Sequence, residues 1–451
     1  MKINTMLTVA AFAAVITANG QSTQTDTRTI IGNGNMSSTN SARSIHVDKL
    51  TPPLPPQTFS INIDGNTPQR DFKDLKSKEV SVEVAASKLA DIYLENTQRN
   101  IQIKTWDQPK VKVVTTVYYE GEGTKISDEE WFEKLNISVK SLGSGIRIKS
   151  GTVSSSGSYS INGSTYAWNS GSGGVAIFNS EGQNIGTKSD VKRYVTIFIP
   201  AANKLDIESK YADVTVANNV SKVNADITNG NLELQDVATL TLRSKYANVS
   251  TGSIKNAEIE FINGRLILKD VEDLDIDTKY STIEIASAQK VNLISTNDEY
   301  EFDEVGALQG RKNYGNLRIT KLTKSIEMDG TNADVKVRNI LAGVEVIKFN
   351  NKYADIRLPL KNLKSYTVNY NGPYSNVYAN FEKKPWVAKE VVTKDDDVMS
   401  KEVDRVVKNA MKIAERYGDT NNTDTKFTAT VGDGKGTKID MKCQNCTVDF
   451  K

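Results

Sequence analysis

The sequence predicts an all-β fold, a parallel β-solenoid (β-helix) of about 17-residue coils with short helical insertions, and three observations carry that prediction. Tyr211, Tyr246, Tyr280 and Tyr314 fall 35, 34 and 34 residues apart, with Asn229, Asn263, Asn297 and Asn332 midway between them. Three positions after each Tyr/Asn corner stands an apolar residue: Val214, Leu232, Val249, Leu266, Ile283, Tyr300, Leu317, Val335, Ile356 and Val377. Six positions before it stands another, as at Leu205, Val223, Leu240, Ala257, Leu274, Val291, Leu308, Ile326, Ile347 and Val368. Asp, Glu, Lys, Thr and Ser fill the places between, so each unit reads as strand, corner, strand, turn with one buried face. Units this short cannot bury a core alone and must stack. An amphipathic 3.6-residue period is absent, which excludes a helical repeat.

Each element has its own justification. Residues 1–20 carry Lys2, an apolar run from Met6 to Ala18 and small residues before Gln21. That run is too short to span a bilayer and reads as a cleavable signal peptide. No cysteine follows it, which argues against a lipid anchor. Residues 21–75 are rich in Ser, Thr, Asn and Pro, including Pro52-Pro53-Leu54-Pro55-Pro56, and read as a disordered linker. Residues 76–451 form the predicted solenoid domain. Its first unit places Ile92, Leu94, Ile101 and Ile103 about a corner at Gln98. Ser127-Asp128-Glu129-Glu130 is a capping-box start for a short helix through Leu135. Residues 151–190 read as a Gly/Ser-rich loop insertion that carries Tyr159, Tyr166 and Trp168.

Within the repeat, the residue after each corner is small (Ala212, Gly230, Ala247, Gly264, Ser281, Gly315), as a tight bend with φ > 0 would need. After Phe381 the pattern breaks. Residues 395–418 have the apolar spacing of a helix, ended by Gly418, and residues 427–451 fit the unit again as a terminal coil.

Composition excludes several chemistries. With 57 basic and 55 acidic residues the chain has no strongly basic surface for nucleic acid. Its one histidine is His46, so a Ser-His-Asp triad, a Cys-His pair and a multi-histidine metal site are all excluded. No catalytic residue, metal site or cofactor is expected. The carboxylates alternate with apolar strand residues as a solvated face does, and Asp395-Asp396-Asp397 lacks the glycine and spaced ligands of a calcium loop. Cys443-Gln444-Asn445-Cys446 lies on the last corner, at two small inward positions. Cys443 and Cys446 are therefore expected to be structural, as a disulfide or as two buried thiols.

The corner itself is the candidate binding surface. Tyr211, Tyr246, Tyr280, Tyr314, Tyr353 and Tyr374 form a column that parity places outward, several with a lysine before them (Lys210, Lys245, Lys279, Lys352). Spaced about 9.6 Å at every second unit, the rings have the spacing of a stacking track for sugar. The favoured reading is structural: each ring covers the small corner residue and neighbouring backbone, and Asn supplies the left-handed corner between.

Lys210-Tyr211-Ala212-Asp213-Val214 and Asn229-Gly230-Asn231-Leu232 resemble the units of a putative adhesin family of bacterial β-solenoid proteins, of the DUF4097 type, found in Bacteroidetes-like bacteria. The stretch from Leu94-Glu95-Asn96 through Ile101-Gln102-Ile103 to Trp106-Asp107 resembles that family's first coil, and the resemblance covers roughly residues 78–451. It implies an exported, non-enzymatic protein acting as a binding or structural scaffold in the periplasm, at the outer membrane or on the cell surface. The expected partner is an envelope protein or a surface glycan, with no transmembrane segment left after signal cleavage. The alternative is an envelope carbohydrate-binding protein or carbohydrate-active enzyme that uses the tyrosine column.

Overall fold

The computed structural model describes residues 75–385 and 426–451, apart from 88–89, 153–155, 162–163, 170–173, 189–190 and 202, together with the strands Ile30–Gly32 and Gly34–Met36. The expected signal peptide, most of the linker with His46, and the expected helix at 395–418 lie outside the described residues. The chain divides into two compact units, residues 1–51 with 59–71, and 52–58 with 72–451. In the first, Ile30–Gly32 and Gly34–Met36 pair antiparallel within the stretch read as a linker.

Among its described residues the second unit is all-β with one short helix. Its parallel pairings follow the sequence columns. Leu205 pairs with Ile92 on one side and Val223 on the other, Val223 with Leu240, Leu274 with Val291 and Val291 with Leu308. Beyond the corner, Ile101 pairs with Val214, Val214 with Leu232, Leu232 with Val249, Leu266 with Ile283 and Ile283 with Tyr300. Like positions thus hydrogen-bond to like positions one repeat on, and the aliphatic residues at them are buried in one continuous core. Between Leu274 and Val291 the inward residues are Leu274, Ile276, Thr278, Ser281, Ile283, Ile285 and Ala288. Alternation holds on each strand and slips by one residue at the corner.

Four features differ from the sequence expectation. The turn is itself a ladder: Val220 pairs with Val237, Val271 with Ala288, and Ala288 with Val305, and all are buried. From the Tyr211 corner to the Asn332 corner, a buried apolar residue eight or nine positions on closes the core on this third side.

The left-handed residue is the corner itself; among the small residues after it, only Gly315, at φ 81°, is left-handed as well. Among the described residues, twelve of the thirteen non-glycine residues with positive φ are corners: Gln98, the six tyrosines, the four alternating asparagines and Asn445, all between 52° and 62°. The small residue next to the corner is there for space. A Cβ on Gly230 would drive into the carbonyl of Ala212, and one on Gly264 into that of Ala247.

The predicted loop at 151–190 contains two antiparallel hairpins instead. Ser156–Ile161 pairs with Ser164–Asn169. Val175–Phe178 pairs with Asn184–Lys188 and is also parallel to Lys110–Glu120, bringing four buried residues to the core. Short apolar stretches such as Val175-Ala176-Ile177-Phe178 outweigh the Gly/Ser composition around them.

Finally, the last unit in sequence is not the last in the stack. Thr437–Gln444 lies between Val346–Lys352 and Tyr366–Asn371, parallel to both, with Ile439 facing Ile347 on one side and Val368 on the other. Thr447–Asp449 likewise lies between Asp355–Arg357 and Asn376–Tyr378. Periodicity defines a unit, whereas a long connection leaves its place in the stack open, and residues 386–425 supply that connection. At the other end, the helix Asp128–Lys134 starts at Ser127 with the expected capping box and packs Trp131 and Phe132 into the core.

Candidate functional site

The corner column is built by one hydrogen bond repeated from unit to unit. With φ positive, the corner N–H turns along the stacking direction and donates to the carbonyl before the next corner: Gln98 to Lys210, Tyr211 to Thr228, Asn229 to Lys245, Tyr280 to Thr296 and Asn297 to Asn313. Tyr353 N donates to Gln444 O at 2.9 Å and Asn445 N to Pro373 O at 3.1 Å, so the order in space is Tyr353, Asn445, Tyr374. From Tyr211 onward, tyrosine and asparagine therefore alternate along the column. In sequence the two consecutive tyrosine corners at 353 and 374 break the rule, and that break marks where Asn445 inserts.

Asn tolerates the left-handed conformation; Tyr does so at a cost of ~1–2 kcal/mol. The six tyrosines nonetheless hold it and point outward, from 36% exposed at Tyr246 to 81% at Tyr374. The half-covered rings flank slots floored by the asparagine corner. The clearest slot is a groove of about 460 Å³ between Tyr211 and Tyr246, floored by Asn229 and Gly230 and ending at Lys192 and Arg193.

A row of polar side chains runs beside it, two residues past each corner. Asn231 Nδ2 donates to Asp213 Oδ1 at 2.6 Å, and Asn248 Nδ2 to Asn231 Oδ1 at 3.0 Å. The lysines before the tyrosines are not stacked on the rings: among the described residues no cation–π pair involves a corner tyrosine. Lys210 instead pairs with Glu208 at 2.7 Å, a hydrogen bond that raises the lysine pKa. Rings alternating with amides and carboxylates can stack on and hydrogen-bond to a polyhydroxylated chain, but they offer no nucleophile with a base beside it.

Beneath the corner, two inward positions face each other, two before it and one after. They hold Ser209 with Ala212, Ile227 with Gly230, Phe261 with Gly264, and Cys443 with Cys446. In these pairs the large residues Ile227 and Phe261 face glycine and the small ones face small ones, so no pair places two large side chains under one bend. Cys443 and Cys446 are joined in a disulfide that straddles Asn445 with a Cα–Cα distance of 5.8 Å, both residues buried.

The sequence reading missed a buried polar cluster at these positions. Asp298, fully buried, accepts from Thr278 Oγ1 and Ser295 Oγ at 2.7 Å and from the N–H groups of Ser281 and Thr296. Lys312 Nζ donates to Ser295 Oγ and to the carbonyls of Asp298 and Tyr314, and lies over the Tyr300 ring. Burial pushes the Asp298 carboxyl up, against the hydrogen bonds that hold it down, and brings Lys312 down to about 8. The signal was positional: Asp298 and Lys312 stand where most other units carry Ala, Gly, Ser or an apolar residue.

No family model matches the sequence, and no curated protein does either. Among solved structures, the chain is similar to a putative adhesin of Parabacteroides merdae, at 11% identity over 61% of this chain and 96% of that one, with a TM-score of 0.30. It is also similar to a putative adhesin of Bacteroides fragilis, at 14% identity over 62% and 96%, with a TM-score of 0.29. A third is a putative lipid binding protein of Parabacteroides distasonis, at 9% identity over 62% and 94%, with a TM-score of 0.23. No helix among the described residues is long and apolar enough to cross a membrane.

Proposed function

We propose that the chain is a non-catalytic binding scaffold, a parallel β-solenoid exported to the cell envelope, and that its corner face is the contact surface. The observation that carries this reading is the column of six outward tyrosines held at positive φ. Strain repeated at every second unit, on rings left half open to solvent, is a cost that an asparagine or glycine corner would avoid. The open slots between rings and the polar row beside them suit a linear chain of sugars, with ring faces stacking on aromatics and hydroxyls meeting Asn and Asp side chains. Adhesin-like behaviour and the envelope location rest on the resemblance of the Lys-Tyr-Ala-Asp-Val and Asn-Gly-x-Leu units and on the apolar leader. A glycan-array screen of the purified chain, followed by titration of Tyr211→Asn and Tyr246→Asn variants, tests it. Binding to a linear glycan that weakens at each step supports the reading, and binding indifferent to both changes refutes it.

A further inference from the structure

Two arginines are buried at the start of the corner column, with no carboxylate among the described residues bonded to them. Arg99 follows the Gln98 corner, at the inward position that later units give to Ala212, Gly230 or Cys446, and is 3% exposed. Its guanidinium donates to Ser150 Oγ at 3.3 Å, to Gly151 O at 2.7 Å and to Leu135 O. Leu135 caps the C-terminus of the helix Asp128–Lys134, so Arg99 is accounted for as a cap on that helix end. Arg193 is not. It is 8% exposed, its Nε donates to Gly174 O, and its buried Nη1 has no acceptor among the described residues. The two residues are tied by the backbone bond from Asn100 N to Arg193 O, 3.0 Å.

Burial lowers both guanidinium pKa values, Arg99 to about 10 with the charge of Arg193 adding to the effect, and no carboxylate among the described residues offsets either shift. A buried charge is ordinarily paired, and an unmet guanidinium N–H is costly. A cavity of about 110 Å³ lies here, lined by Arg99, Arg193, Lys192, Thr115, Tyr118 and Leu135. It is roomy enough for several waters or one small ion.

We propose that this cavity binds a small oxyanion, a carboxylate or sulfate group, through Arg193 Nη1 and the Lys192 ammonium, with the Arg99 charge behind them. Lys192 and Arg193 also line the end of the groove between Tyr211 and Tyr246. The oxyanion is therefore either a free ion or the acidic substituent of a glycan lying in that groove. The second source rests on the reading of the corner face as a binding surface. In that case the ligand is an acidic polysaccharide, bearing uronate or sulfate groups, whose ring stacking and charge are read by separate residues.

The test begins with inorganic sulfate. Thermal unfolding of the full chain is followed in sodium sulfate and in sodium chloride at matched ionic strength, for wild type, Arg193→Gln and Arg193→Lys. A bound ion raises the wild-type melting temperature saturably. Arg193→Gln weakens the apparent affinity by about tenfold or more, the effect of losing one charge-assisted hydrogen bond, while Arg193→Lys keeps part of it. An equal, non-saturating response in wild type and Arg193→Gln overturns the proposal. If Arg193→Gln does not fold, sulfate calorimetry on wild type and on the rim variant Lys192→Gln decides instead, and absence of saturable heat in wild type is fatal.

A second arm titrates an oligogalacturonate against a neutral oligosaccharide of equal length. Binding lost in Arg193→Gln but untouched by Tyr246→Asn keeps the anion pocket and removes the groove reading. Binding lost in Tyr246→Asn but untouched by Arg193→Gln removes the pocket and keeps the groove. Sulfate binding without oligogalacturonate binding supports a pocket for the free ion.

Discussion

At Tyr246 the usual ranking of alanine over glycine should invert. A fully covered aromatic side chain removes roughly 150–250 Å² from water. Tyr246 is 36% exposed, so about 100–150 Å² is covered, worth ~2.5–4 kcal/mol as an upper bound at ~25 cal/mol/Å². Tyr246→Ala loses that cover and still holds φ at 55°, with its cost of ~1–2 kcal/mol. Tyr246→Gly loses the same cover but relieves the strain, against ~0.5–1 kcal/mol of extra chain entropy in the unfolded state. Glycine should therefore be the more stable variant by ~0.5–1 kcal/mol. Arg243, exposed on the strand before the corner and 3.6 Å from Glu260, is the control. There both substitutions lose the same weak pair, and alanine should exceed glycine by the ordinary ~0.5–1 kcal/mol. Denaturant midpoints at constant slope measure all four. Tyr246→Ala equal to or more stable than Tyr246→Gly would refute the claim that the corner conformation is imposed by the fold.

Three further outcomes are expected. Leu266, fully buried and paired with Ile283, should lose at least ~4 kcal/mol as Leu266→Asp, since an unpaired charge then replaces a packed side chain; wild-type stability in a urea melt would contradict the inward assignment. Replacing Cys443 and Cys446 by Ser and Ala should keep the circular dichroism spectrum and cost ~2 kcal/mol or less, because the disulfide closes a loop of only about four residues; a gross loss of β signal would show that the bond holds the whole end of the stack. Lys312 has a folded pKa of about 8 against its ordinary value of 10.5. Both states are protonated below pH 8, and above it the folded state releases its proton first, so stability should rise relative to a Lys312→Met variant as pH climbs from 8 towards 10.5. Parallel pH profiles for the two proteins would remove Lys312 from the buried cluster.

The unit and two of its three buried columns were legible because strand alternation writes burial directly into sequence, and Val214, Leu232 and Leu266 all stand where the period puts them. The third column was not, since Val237, Val271 and Ala288 sit singly among polar residues and single apolar positions look like turns. Tyrosine corners were legible as outward but not as left-handed, because the steric cost of positive φ argues against a large ring at that place. The position of Thr437–Gln444 within the stack is something repeat spacing cannot register; only the missing asparagine between Tyr353 and Tyr374 pointed to it. Asp298 and Lys312 were hidden because charged residues on strands ordinarily face water, and here two inward corner positions reverse that. The Arg99–Arg193 site was beyond reach of the sequence. Its two guanidiniums are 94 residues apart and meet through the pairing of Tyr194–Pro200 with Asn100–Trp106.

The most direct measurement of the corner face as a contact surface is a binding titration of the variant Tyr211→Asn/Tyr246→Asn/Tyr280→Asn against the best linear glycan from the array. It should be made at a temperature where circular dichroism shows the variant to be fully folded. Asparagine keeps the left-handed corner and removes only the ring, so loss of binding cannot be assigned to a broken bend. With about 1–3 kcal/mol of contact per removed ring, the folded variant should bind at least a hundredfold more weakly than wild type. A fully folded variant with wild-type affinity would show that the rings only cover the backbone and that the contact surface lies elsewhere.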